Sequence, residues 1–146
     1  MLVAGLSTRD MIEAPEGASM SDTITRGVQI EVRPEFLPHQ SDPRAGLWMF
    51  AYHIRIVNTG TEVVQLLSRH WIITDANGTV EEVQGPGVVG EQPVLRPGES
   101  FRYSSGCPLP TSVGTMHGAY QMVTQRGERF DAAIAPFTLA EPYAVN

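Results

Sequence analysis

Residues 85–90 read Gly-Pro-Gly-Val-Val-Gly and place Gly85, Gly87 and Gly90 at the spacing G-x-G-x-x-G. In a strand–turn–helix unit, glycines at that spacing let backbone N–H groups close around a pyrophosphate. That chemistry depends on what comes next: a helix must open there, so that its free N–H groups and its dipole meet the anion. Here the sequence runs on as Glu91-Gln92-Pro93-Val94-Leu95-Arg96-Pro97. Two prolines with β-branched neighbours are poor helix material. The protein has no lysine to reach a phosphate, and Glu81, Glu82 and Glu91 flank the run with negative charge. The context therefore predicts a connection between strands instead of a dinucleotide site. Residues 84–93 are long and glycine-rich, with apolar Val88 and Val89 at their centre, which suits a recognition loop at one end of a β-scaffold. The candidate binding residues are Gly85, Gly87, Val88, Val89, Gly90 and Glu91.

Other chemistry finds less support. His39, His53, His70 and His117 form no H-x-H or H-x-x-x-H pair, and a single cysteine cannot complete a zinc site, so no metal is expected. His70 and His117 fall on predicted strands that could be neighbours, where hydrogen-bonded histidines are the simpler expectation. Cys107, in Ser-Ser-Gly-Cys-Pro, reads as a structural thiol. Ser68, Ser104 and Ser105 lack a G-x-S-x-G setting. Glu81 and Glu82 are adjacent, so on a strand they point to opposite faces and cannot act as a catalytic pair. With no nucleophile, base or cofactor assignable, the expectation is a protein that is not an enzyme and carries no cofactor.

The elements that must position the loop alternate with period two. Val28, Ile30 and Val32 alternate with Gln29, Glu31 and Arg33. Trp48, Phe50, Tyr52, Ile54 and Ile56 share one side of a second strand, and Met49, Ala51, His53 and Arg55 share the other, expected to be partly wet. Residues 62–83 predict a hairpin around Asp75-Ala76-Asn77-Gly78, with positive φ at Asn77-Gly78. Pro97-Gly98 marks a type II turn. Residues 114–134 predict another hairpin with Arg126-Gly127 at its tip, and Pro136–Ala140 a final short strand. Turn signals every ten residues or so, with no capped amphipathic helix, indicate an all-β antiparallel sandwich of about seven to eight strands, immunoglobulin-like or fibronectin type III-like.

The sequence as a whole agrees. Its 146 residues suit one domain, with 1–22 expected as a poorly ordered tail and 23–146 as the sandwich. The net charge is −6, and the ten basic residues are all scattered arginines, which argues against a nucleic-acid surface. The lone cysteine fits a reducing compartment, no apolar run is long enough to span a bilayer, and the first residues lack the pattern of a secretory signal; a cytoplasmic protein is expected. Unpaired sheet edges offer a route to a homodimer.

Four stretches, "QLLSRHWIITDANG", "EVQGPGVVGEQPVLRPGESFRYSSGCPL", "GTMHGAYQMV" and "GERFDAAIAPFTL", together resemble the bacterial ApaG family, in order over about residues 24–140. The resemblance implies a fibronectin type III-like sandwich and a small cytoplasmic protein. It also brings a genetic association with cobalt resistance and magnesium efflux, and a gene commonly beside that of a diadenosine tetraphosphate hydrolase. In eukaryotes similar domains are appended to F-box proteins and to a polymerase-delta-interacting protein, where protein binding is the implied role. The functional expectation is a non-enzymatic binding module that meets an unidentified protein partner through the loop 84–93. The alternative is a sensor of a phosphorylated nucleotide, of pyrophosphate or of a divalent cation.

Overall fold

The period-two pattern resolves into two antiparallel sheets. A computed structural model describes residues 3–4 and 20–142. Its strands are β1 (Val3–Ala4), β2 (Ser21–Thr25), β3 (Val28–Phe36), β4 (Trp48–Asn58), β5 (Val64–Asp75), β6 (Val80–Pro86), β7 (Val94–Leu95), β8 (Ser100–Leu109), β9 (Val113–Thr124) and β10 (Arg129–Ala140). One sheet has the order β1-β8-β4-β3-β2 and the other β10-β9-β5-β6, with β7 also paired to β5. Among the described residues eight strands have five residues or more, as the turn spacing predicts, and there is no α-helix. Pro136–Ala140 is not a separate strand. It is the second half of β10, beyond an irregularity between Ile134 and Phe137 where Pro136 cannot donate to the ladder. Most of the stretch expected to be a poorly ordered tail (residues 1–2 and 5–19) lies outside the described residues.

The inward faces meet in one core. Val28, Ile30 and Val32 of β3, Phe50, Tyr52, Ile54 and Ile56 of β4, and Met116, Tyr120 and Met122 of β9 are all buried, on the alternation read from sequence. Trp71 sits between the layers, edge-on to Tyr120 and Phe137 of its own sheet, and to Tyr52 across the gap at 5.2 Å between centroids. The second face of β4 departs from expectation. Met49, Ala51 and His53 are buried there and only Arg55 is half-exposed, because β4 lies between β3 and β8 and their side chains close over it. The β5–β6 turn also differs in detail. Asp75 Oδ1 accepts the N–H groups of Asn77 (2.8 Å) and Thr79 (3.1 Å), so Gly78 alone takes a positive φ, 84°. Gly98, at φ 87°, completes the predicted type II turn.

The two long sides of the sandwich are closed differently. On one, β2 and β10 belong to different sheets but are joined by side chains: the Thr23 hydroxyl donates to the Ala133 carbonyl, and the Ala133 N–H donates to Thr25 Oγ1 at 3.3 Å. On the other, residues 87–93 between β6 and β7 turn inward and bury Val88 in the shared core. At the end of β4, Asn58 fixes three backbone segments. Its Nδ2 donates to the carbonyls of Glu62 (2.7 Å) and Leu95 (2.9 Å), and its Oδ1 accepts the Gly60 N–H (3.0 Å). Because Asn58 is buried, Asn58→Ala strands those partners without water, and urea unfolding should register a loss of about 2 kcal/mol. A loss no larger than that of an exposed Asn→Ala change would remove the side chain from this role.

Candidate functional site

The glycine-rich run interrupts one edge of β5. β6 follows that edge from Thr74 back to Ser68, and β7 rejoins it at Gln65 and Val64. Between them β5 carries a bulge, a register shift between Leu66 and Ser68. The Leu67 carbonyl, within that bulge, accepts the Gly87 N–H and the Gln92 Nε2 amide, both at 2.8 Å. The Leu66 N–H donates to the Pro93 carbonyl at 3.0 Å. These bonds clamp both feet of the loop.

Within the clamp is a miniature hairpin. The Val88 N–H donates to the Glu91 carbonyl (2.8 Å) and the Glu91 N–H to the Val88 carbonyl (2.9 Å). Val89 and Gly90 form its two-residue turn with φ 50° and 79°, the positive pair of a type I′ turn, which favours Asn-Gly. A β-branched residue in that conformation is strained. Val88 is 0% exposed and Val89 44%, so one valine anchors the loop and the next is presented outward. Gly87 has φ 60°, and a Cβ there would lie 2.3 Å from the Glu91 carbonyl oxygen. Gly85 has no positive φ; the Arg69 guanidinium lies over it, 3.1 Å from where a Cβ would stand. No helix follows the glycines, and the N–H groups of residues 87, 88 and 91 are already bonded within the protein. A pyrophosphate cradle of the dinucleotide kind is therefore not formed.

The bulge has a second consequence that alternation alone does not reveal. Val64 and Leu66 are buried on one side of it, Trp71 and Ile73 on the other. The odd step between these sets brings Arg69 onto the core-facing side. That parity conflict, even numbers before and odd numbers after, is the signal in the sequence that locates the bulge. Arg69 Nη1 donates to the carbonyls of Pro86 and Gly87, each at 2.9 Å. Its positive charge favours the ionised forms of the Tyr52, Tyr103 and Tyr120 phenols, although burial pushes all three well above the usual tyrosine range. A hollow of about 330 Å³ lies here, lined by Arg69, by Tyr52, Tyr103 and Ser105 of the facing sheet, and by Pro86 and Val88–Gly90 of the loop. Tyr103 and Tyr120 share a short hydrogen bond. Ser105 stands beside the buried Tyr52 hydroxyl and lowers its pKa against the larger rise from burial, yet that hydroxyl makes no hydrogen bond within the protein.

A polar network missed from sequence crosses the outer face of the first sheet. Ser104 Oγ lies 2.7 Å from His53 Nδ1, and Glu35 Oε1 lies 2.8 Å from His53 Nε2. The residue types are those of a hydrolytic triad, but both groups are buried and the hollow on that face is lined by His53 and not by Ser104, so the hydroxyl has no open approach. Strand pairing is the reason they meet, since His53 stands opposite both Ser104 and Arg33. His70 and His117 do not stand opposite each other; their partners in the register are Ala119 and Ile72, and His70 bonds Glu82 Oε1 at 3.1 Å instead. Cys107 is buried and its thiol is pushed up to about 12 by desolvation, which leaves it a poor nucleophile. Among the described residues no helix is long and apolar enough to cross a membrane.

Comparison with known proteins places this architecture. A family model described as the ApaG domain matches residues 38–124. The protein is 56% identical over 125 residues to Protein ApaG of Beijerinckia indica, covering 86% of this sequence and 96% of that protein. It is 59% identical over 119 residues to Protein ApaG of Thiobacillus denitrificans, covering 82% and 94%. The crystal structure of the putative ApaA protein from Bordetella pertussis superposes with a TM-score of 0.78 at 52% identity, covering 80% of this protein and 95% of that one. An antiparallel sandwich with an inward-folded glycine loop, matched over most of its length by these relatives, belongs to the ApaG family.

Proposed function

We propose that this domain is a non-enzymatic, cytoplasmic binding module that meets a protein partner through the loop 84–93, with no nucleic acid and no membrane insertion. The observation that carries this is Val89. A β-branched residue held at φ 50° costs on the order of 1–3 kcal/mol, and strain of this kind persists where the strained residue has work to do. Nothing in the core requires valine there, since its neighbour Val88 supplies the anchor and Val89 faces outward. The clamped feet hold the tip rigid, which lowers the entropy lost on binding. The sequence's alternative, a sensor of nucleotide phosphate or divalent cation, has less support. The N–H groups of residues 87, 88 and 91 are spent on the loop's own fold, and the described residues offer no group of three His, Cys, Asp or Glu that could hold a metal.

Two substitutions at one position test the proposal. Val89→Asn suits the turn better and should stabilise the domain by about 1 kcal/mol, raising its melting temperature by a few degrees. Val89→Asp adds a charge to the tip. Quantitative affinity capture from cell extract should show the same proteins lost with both variants and kept by wild type. Retention of those partners by both variants sinks the proposal.

A further inference from the structure

An arginine on the core-facing side of a sandwich normally meets a carboxylate, because an unpaired charge is costly to bury. Arg69 has no carboxylate partner among the described residues. One nitrogen of its guanidinium, Nη1, serves the Pro86 and Gly87 carbonyls. Backbone carbonyls supply dipoles and no counter-charge, so the remaining N–H groups are free to receive an anion. Across the same hollow stands the Tyr52 hydroxyl, buried with 0% exposure of the residue and without a hydrogen-bond partner. Such a group is costly to leave buried and unbonded. Arg69 and Tyr52 sit on facing sheets, so a ligand between them would satisfy both.

The charge balance selects the ligand. One guanidinium matches one negative charge. Glu91 is exposed on the loop that walls the hollow and the protein has a net charge of −6, which penalises a dianion more than a monoanion. A carboxylate also fits the planar fork of arginine through two parallel hydrogen bonds. We infer that the hollow beneath the loop is a carboxylate-binding site in which Arg69 and the Tyr52 hydroxyl receive a carboxylate presented by the partner. This rests on the loop 84–93 being a recognition surface, and it adds what the partner must carry: an Asp or Glu side chain, or a free C-terminus. The loop shapes the entrance: Val88 fills one wall and Val89 stands at the rim.

The test is titration of the ¹⁵N-labelled full-length protein with small probes. N-acetylglycine stands in for a C-terminus and the methylamide of N-acetylglutamate for a side chain. N-acetylglycinamide is the neutral control, and inorganic phosphate is the competing anion. Saturable millimolar shifts centred on Arg69 and residues 85–90 are expected with one or both carboxylates, and which one binds tighter identifies the source. Tyr52→Phe removes only an unbonded hydroxyl, so the fold is kept and the affinity should fall about tenfold. Arg69→Gln should abolish binding. The assignment is overturned by no saturable shift with either carboxylate, by tighter binding of phosphate, or by an unchanged affinity in Tyr52→Phe. These outcomes separate from those of Val89. Loss of captured partners without carboxylate binding leaves the module and removes this site. Carboxylate binding with partners retained by both Val89 variants leaves an anion pocket and removes the loop as the partner surface.

Discussion

Trp71→Ala is expected to lower the free energy of unfolding by roughly 3–5 kcal/mol, the range for emptying a large buried aromatic position. Trp71 is fully buried and joins the sheets through Tyr52, Tyr120 and Phe137, with centroid separations of 5.2, 6.3 and 5.9 Å. None of these rings can swing into the space without losing its own contacts, so the cavity stays open. Trp71→Phe should cost much less. It keeps an aromatic ring and removes the indole N–H, which is buried without a hydrogen-bond partner. Chemical denaturation followed by far-ultraviolet circular dichroism gives both values. If alanine and phenylalanine cost the same, Trp71 is not the hub described here.

Gly118→Val is expected to cost at least about 3 kcal/mol, at or beyond the upper end for overpacked positions. Gly118 stands opposite Trp71 in the β5–β9 register. A Cβ there would lie 2.0 Å from the His70 carbonyl oxygen and 3.1 Å from Trp71 Cα. Backbone atoms cannot turn away as a side chain does, so the two paired strands would have to separate. Loss of a cooperative thermal transition, or a midpoint lowered by roughly ten degrees or more, is the expected readout. A Gly118→Ala protein with wild-type stability would show that β9 shifts freely along β5.

Much of the architecture is legible in the residues themselves. Val28-Ile30-Val32, Phe50-Tyr52-Ile54 and Met116-Tyr120-Met122 alternate strictly, and each set is buried, because in a strand successive side chains point to opposite faces. Pro97-Gly98 announces its turn for an equally local reason. Proline presets one φ and glycine accepts the next. The loop 84–93 is recognisable as a loop, and not as a dinucleotide fingerprint, from the prolines that follow it. The wetness expected of the second face of β4 is where local inspection failed. An alternating polar residue such as His53 signals solvent only when no neighbouring strand brings Glu35 and Ser104 to it.

What the sequence determined alone is what depends on neighbours along it: periodicity, turn chemistry, the exclusion of a helix after Gly90, and a family resemblance over most of its length. Tertiary structure decided what depends on distant residues meeting. It turned Arg69 inward through the bulge at Leu67, and laid its guanidinium closely over Gly85. It set the unbonded Tyr52 hydroxyl across from that charge, and divided two adjacent valines into an anchor and a presented tip. A hydrogen bond or an ion pair reaches only a few ångströms, and residues 52, 69 and 89 come within such reach only once the sheets have closed on one another.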